Sequence, residues 1–152
     1  MKPTDASAPA SLHNSSFILH PSIEVSAGLI FRAGKLLITQ RRPDDHLGGL
    51  WEFPGGKREP GETFEQCLVR ELREELGVEV LVGELVEELT HDYPEKTVHL
   101  RFFRCTLADI RAEPRALHCH AFAWVTRNEL TGYQFPAADA RLLERLRSQT
   151  DW

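Results

Sequence analysis

Cysteine is scarce in this chain, and its few copies follow no metal-binding or disulfide spacing. Cys67, Cys105 and Cys119 are the three cysteines among 152 residues, and no two of them form a CxxC pair. An odd number of widely separated cysteines indicates neither a disulfide framework nor a zinc ribbon. Free thiols are typical of a reducing compartment, so we expect a cytoplasmic protein.

Long hydrophobic runs and basic runs are missing as well. No apolar stretch approaches the roughly 18 residues of a membrane span, and the sequence does not open with the charged and apolar segments of a secretory signal. Lysine and arginine together number 18 against 23 acidic residues, which gives a formal net charge of −5. Proteins that bind nucleic-acid polymers present basic surfaces. We therefore expect neither a membrane nor a nucleic-acid polymer as a partner.

The length and the apolar content are those of one domain. With 152 residues and 41% hydrophobic content, the chain can bury a single core. Its first 22 residues are rich in serine, alanine, proline and asparagine, and residues 17–19 are their main apolar cluster. This composition predicts a disordered tail over residues 1–22 and a folded domain over residues 23–150.

Alternating and β-branched apolar segments predict several strands and two helices. A hairpin is expected around residues 32–34, and a turn is expected near Gly83. The predicted strands are residues 23–31, 35–39, 51–53, 78–90, 97–106 and 121–125, and the predicted helices are residues 63–76 and 139–147, with a turn or short helix at 127–130. Residues 91–96 read as a charged connection. Strands flanked by two helices predict an α/β (α+β) fold, in which a mixed β-sheet is sandwiched between α-helices.

The first helix has clear local signals at both ends. Thr63 is a typical N-cap residue, and Gly77 stands where a helix favours glycine after its last turn. Glu71, Glu74 and Glu75 project from this helix within one narrow sector.

Carboxylates at this spacing repel one another, so a cation should lie beside them. One alternative is a solvated salt-bridge face with Arg70 and Arg73. We expect these arginines to fall away from the centre of the stripe. The three converging carboxylates then suit a hard divalent cation such as Mg²⁺ or Mn²⁺.

A longer pattern contains this helix. Gly56 is followed after five residues by Glu62, after seven more by Arg70-Glu71-Leu72, and then by Glu74-Glu75 and Gly77-Val78. This pattern resembles the signature box of the Nudix hydrolases at every defining position. Residues 25–41, 51–57 and 134–139 also resemble the MutT branch, so the similarity covers nearly everything from Ile23 onward.

The resemblance implies a Nudix fold and the hydrolysis of a diphosphate linkage in a nucleotide, with a metal held by the box glutamates. It also implies roles for individual residues. The implied metal ligands are the Gly55 carbonyl, Glu71, Glu74 and Glu75; Arg70 and Glu62 complete the catalytic set; and Arg41, His46, Lys57 and Asp139 contact the nucleotide. Glu62 and Arg70 can pair and fix the loop on the helix. Without the resemblance, residues 54–56 would be read as a turn and Arg41 as a solvated edge charge.

Asp139 occupies the position at which the MutT branch carries a base-contacting Asn. A branch that hydrolyses cytidine triphosphate resembles this chain in carrying Ala-Asp there. An ionised Asp only accepts hydrogen bonds, whereas Asn both donates and accepts. Asp139 is also a typical N-cap for the last helix.

Residues 118–120 read His-Cys-His, and on a strand the two histidines would share a face. No further ligand is evident, so we expect no structural zinc. Some relatives use an acidic residue near this position in catalysis, and this chain lacks it. Three candidates for the general base therefore stay open: His120, Glu75 and Glu74.

The sequence thus predicts a metal-dependent nucleoside triphosphate pyrophosphohydrolase that clears oxidised or noncognate nucleotides. We expect 8-oxo-dGTP as the first substrate and CTP or a modified dCTP as the second. A rival interpretation is a non-catalytic domain that recognises a damaged base, as at the end of adenine DNA glycosylases. The protein is expected to be a monomer or a homodimer.

Overall fold

A two-residue turn starts the sheet in the computed structural model, which describes residues 21–152. It joins β1 (Ser22–Arg32) to β2 (Lys35–Gln40). Ala33 and Gly34 have φ angles of 52° and 76°, as a type I′ turn requires. The predicted hairpin is therefore present. Residues 1–20 of the predicted tail over residues 1–22 lie outside the described residues, and Ser22 already belongs to β1.

The remaining elements follow in chain order. They are β3 (Trp51–Glu52), β4 (Gly55–Lys57), α1 (Phe64–Leu76), β5 (Val80–Tyr93), β6 (Lys96–Leu107), β7 (Ala121–Val125), two 3₁₀ helices (Glu129–Gly132 and Ala137–Asp139) and α2 (Ala140–Ser148). The main strand order is β3-β2-β1-β6-β5, with β4 paired to β1 and β7 paired to β2. The β1–β6 pair is parallel, and the other pairs are antiparallel. No helix within residues 21–152 has both the length and the apolar content to cross a membrane.

Each face of the sheet buries its own core under one helix. On one face, Leu36 and Ile38 of β2 pack in a cluster with Leu142 of α2. On the other face, Leu37 belongs to a cluster with Leu72 of α1. This alternation follows from the two-residue period of a strand. The predicted sheet between helices is confirmed.

Helix α1 begins and ends where its sequence predicts. The Thr63 hydroxyl accepts from the Gln66 backbone N–H at 3.0 Å, and the Gln66 side chain accepts from the Thr63 N–H at 2.9 Å. This reciprocal pair is a capping box. Gly77 closes the helix with φ 67°, in the left-handed region that favours glycine.

The predicted turn near Gly83 is wrong. Strand β5 runs through this position with register shifts between Val82 and Glu87, so the glycine lies at a β-bulge. A Cβ at Gly83 would lie 2.9 Å from the Arg104 carbonyl oxygen, and the close approach of β6 therefore requires glycine. The predicted connection at residues 91–96 is also mostly strand, because β5 ends at Tyr93 and β6 begins at Lys96.

Candidate active site

Gly55 and Gly56 of β4 allow the backbone before α1 to lie close to the helix. A Cβ added at Gly56 would lie 2.2 Å from Cδ of Glu71, so any side chain at this position would displace the carboxylate. A Cβ added at Gly55 would lie 1.9 Å from the Ser26 carbonyl oxygen, on the neighbouring strand β1. The short strand β4 thus brings its backbone against both β1 and the acidic face of α1.

Arg70 forms a network with the acidic residues around it. Its guanidinium donates to both carboxylate oxygens of Glu62, at 2.7 and 3.1 Å, and to the Lys57 carbonyl at 3.0 Å. These bonds lower the pKa of Glu62 to about 2 and raise the pKa of Arg70. The predicted pairing of the loop carboxylate with the helix guanidinium is present, and it ties the loop to α1.

Arg70 also contacts the acidic stripe, contrary to the expectation that it falls away. Its Nη1 lies 3.0 Å from Glu71 and 3.3 Å from Glu74. A helical projection gives the direction of a Cβ, and the long arginine side chain reaches across to the neighbouring sector. Arg73 does point away, because it pairs with Glu79.

The three carboxylates of the stripe point in different directions in this structure. Glu74 is 55% exposed and turns toward Arg70, whereas Glu75 points into the protein. Within residues 21–152, no three His, Cys, Asp or Glu side chains are arranged so that together they could hold a metal ion. The pairing with Arg70 lowers the repulsion that would otherwise demand a cation beside Glu74.

Glu75 is the carboxylate of α1 whose surroundings most disfavour the ionised form. Burial, together with the Glu52 and Glu71 carboxylates, raises its pKa to about 8, against the opposing effects of the Gly55 backbone amide and of Arg41. Its Oε1 is buried and makes no hydrogen bond. A buried oxygen without a partner costs stability and marks a position where a ligand can bind.

These oxygens fit a hard divalent cation. Glu71 adjoins the Gly56 backbone, and Glu75 adjoins Gly55 and leaves one oxygen free. Carboxylate and carbonyl oxygens are the ligands that such cations prefer. Glu71, Glu75 and the Gly55 carbonyl are the groups that would hold the ion, with Glu74 next to them on α1.

A cavity of about 330 Å³ opens beside Glu75. This volume suits a small-molecule ligand. Six of the ten residues that the sequence analysis proposed line it: Arg41, His46, Gly55, Lys57, Glu75 and Asp139. The other four, Glu62, Arg70, Glu71 and Glu74, lie behind the β4 backbone or beside it in the network of Arg70.

Arg41 is held in this cavity by two contacts. Its Nη1 lies 3.0 Å from Glu52, and its Nε donates to the His46 carbonyl at 2.6 Å. Arg41 is therefore a fixed group and not a solvated edge charge. Burial raises the pKa of Glu52, and the Arg41 guanidinium opposes that shift.

Asp139 forms part of the cavity wall and is 5% exposed. It stands at the N-cap position of α2, yet its side chain makes no capping hydrogen bond. The capping alternative is therefore wrong. Burial and, to a smaller extent, the Glu52 carboxylate raise the pKa of Asp139 to about 7.

The His-Cys-His segment is not on a strand, because β7 begins at Ala121. The premise that His118 and His120 share a strand face is therefore wrong. His118 and Cys119 line the cavity, whereas His120 is exposed and does not. Of the three candidates for the general base, Glu75 is the one that lines the cavity.

Comparison with known proteins agrees with this geometry. The family model of the NUDIX domain matches residues 26–145. The chain belongs to the Nudix hydrolase family. Members of this family generally need a divalent metal ion, and the chain is a Nudix hydrolase.

The relatives of this Nudix hydrolase align over most of their length. The CTP pyrophosphohydrolase of Escherichia coli K12 is 42% identical over 122 residues, which cover 80% of this chain and 89% of that protein. The 8-oxo-dGTP diphosphatase of Haemophilus influenzae is 39% identical over 129 residues, or 84% and 93% of the two chains. The solution structure of the E. coli ORF135 protein matches with a TM-score of 0.71 and 40% identity, over 85% of this chain and 93% of that one.

Glu52, Tyr93 and Lys96 are among the cavity residues of this Nudix hydrolase that were not singled out from the sequence. Glu52 is a charged residue between Trp51 and Phe53, and a charge within an aromatic segment is a usable signal. Tyr93 and Lys96 flank the β5–β6 turn and also line the cavity. The sequence contains no local signal for Tyr93 and Lys96. They are distant from Asp139 along the chain, and only the folded sheet places all three residues at one cavity.

Proposed function

We propose that this Nudix hydrolase converts a nucleoside triphosphate and water to a nucleoside monophosphate and pyrophosphate, and that it thereby removes oxidised or noncognate nucleotides such as 8-oxo-dGTP. The observation that carries this proposal is the set of residues that line the cavity. Lys57 and Arg41 offer positive charge near Glu75, and Asp139 and Tyr93 line the same cavity. One nucleotide would place its phosphate chain beside Lys57 and Arg41 and its base beside Asp139 and Tyr93.

The residues of this chain would divide the work. Lys57 and Arg41 would bind phosphate oxygens, and the Arg41–Glu52 contact would keep the guanidinium in place. The Arg70 network would fix β4 on α1, so that Glu71 and Glu75 keep their positions. Glu75, with one oxygen free of hydrogen bonds, would orient or deprotonate the attacking water.

A bound Mg²⁺ or Mn²⁺ would neutralise phosphate charge and lower the pKa of the water at this site. The residues identified above as fitting a divalent ion, Glu71, Glu75 and the Gly55 carbonyl, would hold it. We propose Glu74 as a further ligand, as the sequence resemblance implies.

Pyrophosphate release from 8-oxo-dGTP, dGTP, CTP and dCTP tests the function. The assay should be run with Mg²⁺, with Mn²⁺ and with EDTA, and a Glu75→Gln variant serves as the inactive control. We expect metal-dependent pyrophosphate release, with 8-oxo-dGTP preferred over dGTP. Absence of release from all four nucleotides would contradict the proposal.

A second candidate substrate is CTP or a modified dCTP. Two observations favour it: the relative that is 42% identical is a CTP pyrophosphohydrolase, and Asp139 is a carboxylate able to accept from the N4 amine of cytosine. The same four-nucleotide panel separates the two candidates. The cytoplasmic location, the monomer or homodimer state and the boundary of the domain at residues 23–150 stay predictions.

A further inference from the structure

Glu87 is a buried carboxylate outside the cavity and the Arg70 network. It lies on β5, and its side chain is 7% exposed. Two arginines of α2 contact it: Arg141 donates to Oε2, and Arg145 donates to Oε1 at 2.7 Å. These hydrogen bonds hold the pKa of Glu87 below its usual value despite burial. We call Glu87, Arg141 and Arg145 the helix clamp.

The clamp depends on the irregular register of β5. The pairing of β5 with β6 shifts between Leu85 and Glu87. Beside this shift, the Val86 carbonyl accepts a hydrogen bond from Arg145 at 2.8 Å. One guanidinium therefore binds both the backbone and the side chain of β5. Because a bulge re-aims side chains, the shift turns Glu87 toward α2.

Both elements that the clamp joins, β5 and α2, adjoin residues that line the cavity. Glu87 and Tyr93 lie six residues apart on β5 and therefore share one face of the strand. Asp139 directly precedes α2, and Arg141 follows it by two residues. Tyr93 and Asp139 both line the cavity. The clamp thus joins β5, which carries Tyr93 on one wall of the cavity, to α2, which follows Asp139 on the other wall.

We propose that Glu87 is a positioning residue for nucleotide selection, because the helix clamp sets the position of Asp139 relative to Tyr93. This inference rests on the proposed function. Discrimination between bases depends on hydrogen bonds with well-fixed geometry, and a misplaced group loses about tenfold or more. Loosening the clamp should therefore reduce discrimination between bases, while the groups on β4 and α1 that act on phosphate stay in place.

Binding of nucleoside monophosphates tests the proposal without the hydrolytic step. Dissociation constants for CMP, dGMP and 8-oxo-dGMP should be measured by calorimetry, without added metal, in the wild type, Glu87→Gln and Arg141→Gln. Arg141 is 75% exposed, so its substitution leaves the core intact even if Glu87→Gln weakens the fold. We expect the ratio between the best and the worst ligand to fall about tenfold in Glu87→Gln and in the same direction in Arg141→Gln. Combining Glu87→Gln with Arg145→Gln should add little further loss.

The matched control is Glu79→Gln. Glu79 also accepts two hydrogen bonds from one arginine, Arg73, at 2.6 and 2.8 Å, but this pair is exposed and does not reach α2. Its ratios should equal those of the wild type. Unchanged ratios in both clamp variants, whatever their melting temperatures, would overturn the proposal, as would a wild type that binds none of the three monophosphates. Failure of the wild type to release pyrophosphate from any triphosphate would instead contradict the proposed function, and the binding ratios would still decide the role of the clamp.

Discussion

Gly56 and Glu71 share a space that admits only one side chain. A Cβ on Gly56 would lie 2.2 Å from Cδ and 2.3 Å from Oε1 of the Glu71 carboxylate. The two residues belong to different elements, β4 and α1, and their contact places a carboxylate against the loop backbone. The requirement for glycine here is one of space.

Gly56→Ala should therefore displace the Glu71 carboxylate and lower kcat by about a hundredfold, since one misplaced electrostatic group has an effect of that size. The measurement is kcat for the preferred nucleotide at saturating metal. Gly132→Ala is the control, because no atom lies within 4 Å of the added Cβ, and its kcat should equal that of the wild type. A Gly56→Ala enzyme with normal turnover would remove Glu71 from the proposed metal site.

Glu75→Gln should lower kcat by at least about a hundredfold without lowering the free energy of unfolding, because the neutral side chain avoids the burial of a charge beside Glu52 and Glu71. The substitution keeps the volume of the side chain and removes its charge, and the buried Oε1 has no hydrogen bond to lose. Steady-state kinetics and denaturant unfolding of the same preparation measure both effects. Glu65→Gln on the exposed side of α1 should change neither. Activity near that of the wild type would contradict the assignment of Glu75.

Gly77→Ala should lower the free energy of unfolding by roughly 1 kcal/mol and affect kcat little. Gly77 has φ 67°, where a Cβ is disfavoured, and the added atom would lie 3.2 Å from Arg115. Urea unfolding of the wild type and the variant gives the difference. An unchanged midpoint would mean that the left-handed conformation at the end of α1 carries no cost.

Asp139→Asn should change the choice of base and leave the phosphate chemistry alone. Asn can donate to a carbonyl, which an ionised Asp cannot do, and one hydrogen bond in a closed pocket is worth about ten- to a hundredfold in discrimination. The measurement is kcat/KM for 8-oxo-dGTP, dGTP, CTP and dCTP in both proteins. A uniform change across all four would show that Asp139 does not contact the base.

The same substitution should change how stability depends on pH. The folded state raises the pKa of Asp139 from 3.8 to about 7, so between these values it binds a proton that the unfolded chain has released. The stability due to this group is therefore full below about pH 4 and is lost as the pH rises to about 7. Asp139→Asn should raise the free energy of unfolding by roughly 2–4 kcal/mol at pH 8 and much less at pH 4.5. Urea titrations at both pH values measure this, and the exposed Asp44→Asn should show no such difference.

Local chemistry made α1 predictable to within one residue. Thr63 and Gly77 act through hydrogen bonds and φ angles within a few residues of themselves, so the sequence alone carries the signal. The prediction of a turn at Gly83 was wrong because glycine is favoured both in turns and where two backbones approach closely. The neighbour that decides between these roles, the Arg104 carbonyl, lies on another strand.

Some features of the site could likewise be predicted from the sequence, and others could not. The Nudix pattern identified the residues of β4 and α1, since they follow one another along the chain. It could not give the reach of the Arg70 side chain or the burial of Glu52 and Asp139, because these depend on packing between distant elements. The clamp at Glu87 had no sequence signal at all, because its partners come from α2.

The parallel pairing of β1 with β6 has a consequence for how the enzyme folds. Ser22 pairs with Thr97 and Ile30 with Cys105, so the chain must close a long loop before this central pair can form. Contacts between residues so far apart in sequence slow folding, because the entropy of the loop is lost before the contacts form. Strands β2 and β4 lie against β1, and β5 lies against β6, so both walls of the nucleotide cavity depend on this pair. During refolding, nucleotide binding should therefore return together with the slowest global phase, after helix α1 has formed.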